Sequence, residues 1–331
     1  MNLENNKKII IFYVLNILKE YSDSEHLLTY RQIVDKISLI YGIRPDVKSI
    51  ANNIDTLISA GFEIEKYGWK GCCLTYRNFD SGELMYLVDA INSSKAITAK
   101  QAKELIERLT KDCSKYEKKN YMSVQKVDTI SKAKNKALFY VIEILGKAIE
   151  QQRKVSFNYN EYKITKELKP RFEGKEFIIN PYFMVNSRGK YYLVCNYDKY
   201  NDISNYKIEC ISNVKILDEP IKDINSLNNM ENFSMKDYID EHIYMTNGFS
   251  VKARLLLKEK KYINDIIDWF GDNIDICEKS HQQIYVDLTV NEQALIYWAL
   301  QYGEHIEVIE PQDTRTKIKD IAEIILKKYN V

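Results

Sequence analysis

A chain of 331 residues and 39.0 kDa is long enough for two or three domains. Its 45% hydrophobic content supplies real cores, and 11 Gly with 5 Pro exclude collagen-like and Pro-rich disordered chains. A formal net charge of +1 (48 Lys+Arg against 47 Asp+Glu) excludes a globally basic protein, so any phosphate contact must be local.

The first elements read as three helices and a hairpin. Ile10, Tyr13, Val14, Ile17 and Leu18 form a helical apolar stripe over residues 7–20. Thr29 and Gln32 form a capping-box pattern that starts a second helix, running to about Ser38 with Ile33, Val34 and Ile37 inward. Tyr41-Gly42-Ile43 is a turn with Gly where a left-handed residue is needed. Pro45 opens a third helix, with Val47, Ile50, Ile54, Leu57 and Ile58 inward and Ala60-Gly61 at its end. Its outer face carries Lys48, Ser49, Asn52 and Asn53. Asn pairs bidentately with adenine in the major groove, and Lys reaches guanine or phosphate. Phe62–Glu65 alternates like a strand, Tyr67-Gly68 and Lys70-Gly71 are turn signals, and Cys72–Tyr76 is a return strand. The layout reads as a winged helix-turn-helix, against the bland alternative of a helical protein-interaction module with an ordinary solvated face. Its DNA-contact candidates are Arg31, Arg44, Lys48, Ser49, Asn52, Asn53, Lys66 and Lys70, with Trp69 beside them on the wing.

Residues 78–136 read as a helical linker. Asp80 or Ser81 caps a helix carrying Leu84, Leu87, Val88 and Ile91, and Thr98 caps another carrying Ala102, Leu105, Ile106 and Leu109. Residues 111–136 are Lys-rich and weakly apolar, an exposed hinge whose Lys132, Lys134 and Lys136 are either DNA contacts or, as charge runs more often are, a solvated face. Leu138, Val141, Ile142, Leu145, Ala148 and Ile149 mark a further amphipathic helix.

Short strands follow: Lys154–Tyr159, Lys166–Phe172, Phe177–Val185 with a bend at Pro181, Tyr191–Tyr197, Asn205–Ile208 and Val214–Leu217, with Ser187–Lys190 as a turn. One helix followed by hairpin-linked strands predicts a small, partly open barrel. Lys169, Arg171 and Lys207 with Tyr159, Tyr182, Tyr191 and Tyr192 offer charge for phosphate and π-faces for bases, the combination single-stranded nucleic acid needs. Against this stands the bland alternative of core and half-buried strand tyrosines, in a chain with 25 Tyr.

Pro181-Tyr182 followed by Gly189-Lys190-Tyr191-Tyr192-Leu193-Val194 resembles the motif that names the WYL-domain family, whose Trp-Tyr-Leu triplet stands here as Tyr191-Tyr192-Leu193. Ala148–Tyr159 resembles the start of that domain, residues 7–77 its winged helix-turn-helix, and residues 250–329 its C-terminal extension, with Trp298–Gly303 and Val308–Pro311 before Arg315. The resemblance implies an α+β protein: a winged helix-turn-helix (1–77), a helical linker (78–136), a small Sm-like β-barrel WYL domain (137–220) and a C-terminal extension (221–331). It further implies a bacterial transcriptional regulator, often a homodimer, that senses a nucleotide or nucleic-acid ligand. Some members instead assist RNA-guided nucleases or serve phage defence. The chain departs from the family pattern where Cys210 stands for an Arg, and where Val47 and Asn52 occupy positions that are frequently basic.

The last third is acidic, with 13 basic and 19 acidic side chains over 221–331. Residues 224–232 are polar and loop-like. Strands at 251–257, 284–290 and 306–309 with helices at 262–270, 295–300 and 316–329 approach a ferredoxin-like order, suited to dimerisation or sensing.

No P-loop, G-x-G-x-x-G, G-x-S-x-G or H-E-x-x-H is present, so no enzyme and no cofactor is expected. Asp237, Asp240, Glu241 and His242 are the nearest approach to a metal cluster, and a solvated helix face explains them better. Six Cys without a C-x-x-C pair read as free thiols of a reducing cytosol, with Cys210 a candidate redox thiol. Apolar runs fall short of about 18 residues, so no membrane span is expected. The leading MNLENNKK and IIIFYVLNIL lack a small-residue cleavage site, and a cytoplasmic location follows. The partners expected are double-stranded operator DNA, a single-stranded nucleic acid or nucleotide ligand, and a second copy of the chain.

Overall fold

The computed structural model describes residues 7–75, 79–123, 137–228, 233–280 and 283–329. It is a mixed α/β structure in two compact units, residues 1–132 and 133–331. Tyr76, part of the 224–232 loop, and Lys132, Lys134 and Lys136 lie outside the described residues.

The first unit opens with α1 (Ile10–Tyr21), α2 (Tyr30–Tyr41) and α3 (Val47–Ser59). Their apolar stripes meet in a core of Val14, Ile17, Leu18, Ile33, Ile37, Ile50 and Ile54. Thr29 and Gln32 form the reciprocal capping box at α2, and Gly42 closes it at φ 71. At α3 the cap is Asp46, whose carboxylate accepts from Ser49 N–H at 2.7 Å. Pro45 therefore lies before the cap, not in the first turn. Two residues expected inward, Val47 and Ile58, are 46% and 39% exposed at the two ends of the helix. Strands β1 (Ile64–Lys66) and β2 (Cys72–Leu74) pair antiparallel, and Leu28 bridges to Cys72.

Helices α4 (Ser81–Ser93), α5 (Ala99–Leu109) and α6 (Lys115–Ser123) complete this unit. Asp80 and Thr98 are the caps, each in a capping box. Within the stretch expected as a hinge, Cys113, Ser114 and Tyr121 are buried, and Tyr121 packs with Leu84 and Val88 while donating to Ser81 Oγ at 3.1 Å. A single buried aromatic does there what a long apolar stripe does elsewhere. Asp23 ties the same segment to the loop after α1, accepting from Ser114 Oγ at 2.7 Å.

The second unit begins with α7 (Leu138–Glu150), which buries Leu138, Val141, Leu145 and Ala148. Strands β3 (Arg153–Tyr162), β4 (Leu168–Pro170), β5 (Glu176–Ser187), β6 (Lys190–Tyr197), β7 (Ile203–Lys207) and β8 (Ile211–Pro220) form one antiparallel sheet in the order β4-β3-β5-β6-β7, with β8 also on β3. Of the strand expected over 166–172, only 168–170 pairs, because Phe172 and Glu173 take left-handed angles. The register slips between Pro181 and Phe183, the bend foreseen at that proline. Arg188 and Gly189 both have positive φ, as a two-residue hairpin matched to strand twist requires.

After α8 (Met235–Glu241) come β9 (Ser250–Leu257), α9 (Ile263–Phe270), β10 (Asp275–Ser280), β11 (Gln283–Asn291), α10 (Glu292–Tyr302), β12 (Ile306–Glu310) and α11 (Gln312–Tyr329). The antiparallel sheet has the order β10-β11-β9-β12 and encloses Leu255, Phe270, Val286, Leu295, Trp298 and Val308. Strand β10, which sequence periodicity did not single out, is one edge and β12 the other. Among the described residues no helix is long and apolar enough to cross a membrane.

Candidate nucleic-acid interface and ligand groove

The outward edge of α3 is Lys48, Asn52, Asp55 and Ser59, spaced at helical intervals and all exposed. Lys48 and Asn52 have no side-chain partner among the described residues. Asp55 would repel phosphate, but Lys66 of β1 is hydrogen-bonded to its carboxylate, which raises the Lys66 pKa and neutralises the pair. That contact also ties the hairpin to α3. Asn53 turns its amide onto Ser49 O at 2.7 Å, and Ser49 is held by the Asp46 cap, so both are half-buried and engaged with their own helix. Arg44 reaches Asp35 at 3.4 Å across the α2–α3 turn. Arg31 is exposed in the first turn of α2, and Lys70 is exposed on the hairpin beside Trp69.

In the second unit, Tyr192 and Lys207 are directly opposed across β6 and β7. Lys207 N–H donates to the Tyr159 hydroxyl at 3.4 Å, and that hydroxyl is also hydrogen-bonded to the Cys210 thiol. Burial pushes the Tyr159 phenol well up, and pushes up the Cys210 thiol with help from Glu209. Burial, then Glu209 and Cys210, also raises Tyr192. Tyr159, Tyr192, Lys207 and Cys210 thus share one locality.

Tyr206 joins it to the hairpin of β3 and β4. Its ring meets Tyr159 at 5.0 Å and Phe157 at 5.4 Å edge to face, and burial raises its phenol to about 12 while nearby Arg171 pulls it down. Arg171 lies over Phe172 at 4.7 Å and reaches Glu161 at 3.5 Å. Lys169 is exposed and paired with Glu167 at 3.3 Å.

Tyr182, beside the register slip at Pro181, packs against the core cluster that also holds Tyr192, and its buried hydroxyl has no hydrogen-bond partner among the described residues. Burial raises it, with Cys195, Asp223 and Asp198 nearby. Tyr191 is half-buried and opposes Asn186. Sequence reasoning missed Tyr206, Glu209 and Lys190, the last of which lies close enough to Cys210 to lower its pKa. Alternation about Lys207 and Tyr192 was the available signal.

Asp237, Asp240 and Glu241 line a cleft of about 560 Å³ with Lys252, Arg254, Asp275 and Asp287. Burial, reinforced by neighbouring carboxylates, raises Asp240 and Glu241. Among the described residues no group of three His, Cys, Asp or Glu side chains is arranged to hold a metal ion.

Residues 140–216 match the WYL domain model, and residues 250–326 match the WCX domain model. The chain carries a WYL domain followed by a WCX domain. The two matched segments coincide with the sheet carrying Tyr192 and the sheet carrying Arg254. Comparison with curated proteins gives no match. Among solved structures, this WYL-domain protein is similar to proteasome accessory factor B/C (PafBC) of Arthrobacter aurescens, with 11% identity and a TM-score of 0.27 over 97% of this chain and 49% of that one. It spans about half the length of that protein. A CRISPR Cas-related protein is similar at 13% identity and a TM-score of 0.39, over 100% of this chain and 87% of that one.

Proposed function

We propose that this WYL-domain protein is a dimeric transcription regulator that binds duplex operator DNA and acts by binding, not by catalysis. In this reading α1–α3 with the β1–β2 hairpin are a winged helix-turn-helix, and the sheet of β3–β8 is an Sm-like barrel that senses a nucleotide or nucleic-acid ligand. The ferredoxin-like order of β9–β12 and α9–α11 serves dimerisation. The observation that carries the reading is the outer edge of α3, where Lys48 and Asn52 are exposed and the one carboxylate among them, Asp55, is neutralised by the hairpin's Lys66. A helix so equipped suits the major groove, with Lys for guanine or phosphate and Asn for adenine. Two copies place two such helices on successive turns of a palindromic site.

The test is binding to duplex from the gene's own upstream region, against random duplex and single strands at fixed salt. The Lys48→Ala/Asn52→Ala double variant is run beside wild type. A preference for the upstream duplex that the variant loses supports the regulator. Absence of that preference in wild type sinks it.

A second reading has its own observation. Arg171 on Phe172, close to Tyr206 and through it to Tyr159, sets a cation among aromatic rings as a single-strand groove does. It favours an accessory protein that binds single-stranded nucleic acid through the WYL domain and modulates an RNA-guided nuclease or phage-defence system. Single-strand binding lost in Arg171→Ala and unaffected by Lys48→Ala/Asn52→Ala would establish it.

A further inference from the structure

Trp69 stands at the tip of the β1–β2 hairpin with 87% of its surface exposed. The turn that presents it is held from several sides. Tyr67 N–H donates to Gly71 O at 2.8 Å and Lys70 N–H to Tyr67 O at 3.2 Å. Leu28 and Cys72 exchange two backbone hydrogen bonds of 2.9 Å, so the hairpin leans on the chain before α2. Lys66 fastens it to Asp55 of α3. A loose loop lets an indole fold back onto apolar surface. This turn holds the ring out.

The tip is also thin. Gly68, at φ 60, has nothing within 4 Å of the place a Cβ would occupy, while the Gly71 end of the turn rests on the Leu28 backbone. A narrow blade ending in a flat apolar ring suits the minor groove, about 6 Å wide, which admits no helix. The local charge permits it: Asp55 and Glu65 are hydrogen-bonded by Lys66 and Tyr67, Glu63 stays exposed, and Lys70 stands next to the indole. Apolar side chains entering the minor groove wedge between base steps and kink the duplex, most readily at pyrimidine–purine steps.

We infer that Trp69 is a DNA wedge: it enters the minor groove beside the bases read by α3, opens a flexible pyrimidine–purine step and bends the duplex. The inference rests on the duplex-DNA reading above and adds a specificity element that makes no hydrogen bond to a base.

The experiment is selection from a pool of short random-sequence duplexes by the full chain, as wild type, Trp69→Ala and Trp69→Phe, with end-to-end energy transfer on the selected duplexes. Because the ring is exposed, the variants keep their fold, which far-ultraviolet circular dichroism checks. Wild type is expected to enrich TpA or CpA at a fixed offset from the α3-read bases, to bend the duplex, and to quench tryptophan emission on binding. Trp69→Ala should enrich the same α3-read bases without the step, leave the duplex straighter and bind about tenfold more weakly. Trp69→Phe should fall between. Enrichment of the same step by wild type and Trp69→Ala, or a straight duplex with wild type, overturns the wedge and leaves the regulator reading intact. Enrichment of no duplex by wild type overturns both. A lower oligomeric state of Trp69→Ala with unchanged duplex selection assigns the indole to a second copy of the chain and overturns the wedge.

Discussion

The Arg188 guanidinium lies 3.4 Å from the centre of the Trp269 ring, joining the β5–β6 hairpin to α9. The same Arg188 donates from Nε to Ile243 O at 3.4 Å, and the indole is fixed by Tyr244 edge-on at 5.3 Å and by its own hydrogen bond to Tyr302 at 3.0 Å. Arg188 holds a left-handed φ of 52, where a Gly or Asn is the easier choice. The contact with the indole is what sets this side chain apart at a turn tip.

A double-mutant cycle of Arg188→Ala and Trp269→Phe should therefore show coupling of about 1 kcal/mol in denaturant unfolding. Arg188→Lys should keep only part of it, because an ammonium cannot stack flat on the ring. Additive single effects would remove the contact from the energetics of this unit.

Thiol reactivity follows from burial. Cys277 is exposed, whereas Cys72, Cys73, Cys113, Cys195 and Cys210 are buried. Burial pushes Cys72 to about 12 and Cys210 upward, and a protonated thiol is a poor nucleophile. In the native protein one thiol should react promptly with an aromatic disulfide reagent, and the other five only after denaturation. Prompt reaction of a second thiol, lost in Cys210→Ser, would restore Cys210 as a redox candidate.

Gly71 is a position where only glycine fits. Its φ is 117, and an added Cβ would lie 2.5 Å from the backbone carbonyl of Leu28. Gly71→Ala must push the hairpin off that strand, at a cost of about 2 kcal/mol or more. Gly68→Ala, at φ 60 with open space around it, should cost about 1 kcal/mol. Thermal denaturation of the two variants compares them directly, and equal losses would show that the Leu28 contact does not matter.

The caps at Thr29–Gln32 and Asp80, the turn at Gly42 and the bend at Pro181 were legible in the sequence because each is decided within a few residues. The pairings that shape the candidate site were not. Asp55 and Lys66 meet only after the hairpin folds back, and no helical spacing connects them. Tyr159 and Tyr182 read as equivalent strand tyrosines, yet Tyr159 is hydrogen-bonded to Lys207 N–H and Cys210 whereas Tyr182 packs against the cluster of Phe183, Val185 and Tyr238. Tyr206 adjoins Lys207 in the sequence, but strand alternation turns the two side chains to opposite faces, and only its packing on Phe157, Tyr159 and Phe177 reveals its place.

Asp23 makes the first unit sensitive to acid. Burial alone would raise its carboxyl, but hydrogen bonds from Ser114 and His26, with the Glu25 N–H, outweigh that and hold it below the usual carboxylate range. A carboxyl lowered by folding contributes stability that is fully present above its unfolded pKa of about 3.9 and is lost as pH falls through the folded value. Asp23→Asn should thus be less stable than wild type by about 1–3 kcal/mol at neutral pH. The gap should close below about pH 4. A gap that widens in acid would contradict the sign of the shift.

Asp55 and Lys66 give the sharpest electrostatic prediction for the outer edge of α3. If α3 lies on duplex DNA as proposed, removing the ammonium in Lys66→Ala leaves a bare carboxylate toward phosphate, and duplex affinity should fall by more than the loss of one phosphate contact. The Asp55→Asn change removes the repulsion and frees Lys66 for the backbone. It should raise affinity several-fold for any duplex and steepen the salt dependence by about one unit of slope. The double variant should lie near wild type, because it deletes a neutral pair. Fluorescence anisotropy across a salt series reads all three, and an Asp55→Asn variant that binds duplex no better than wild type would place α3's outer edge away from the phosphates.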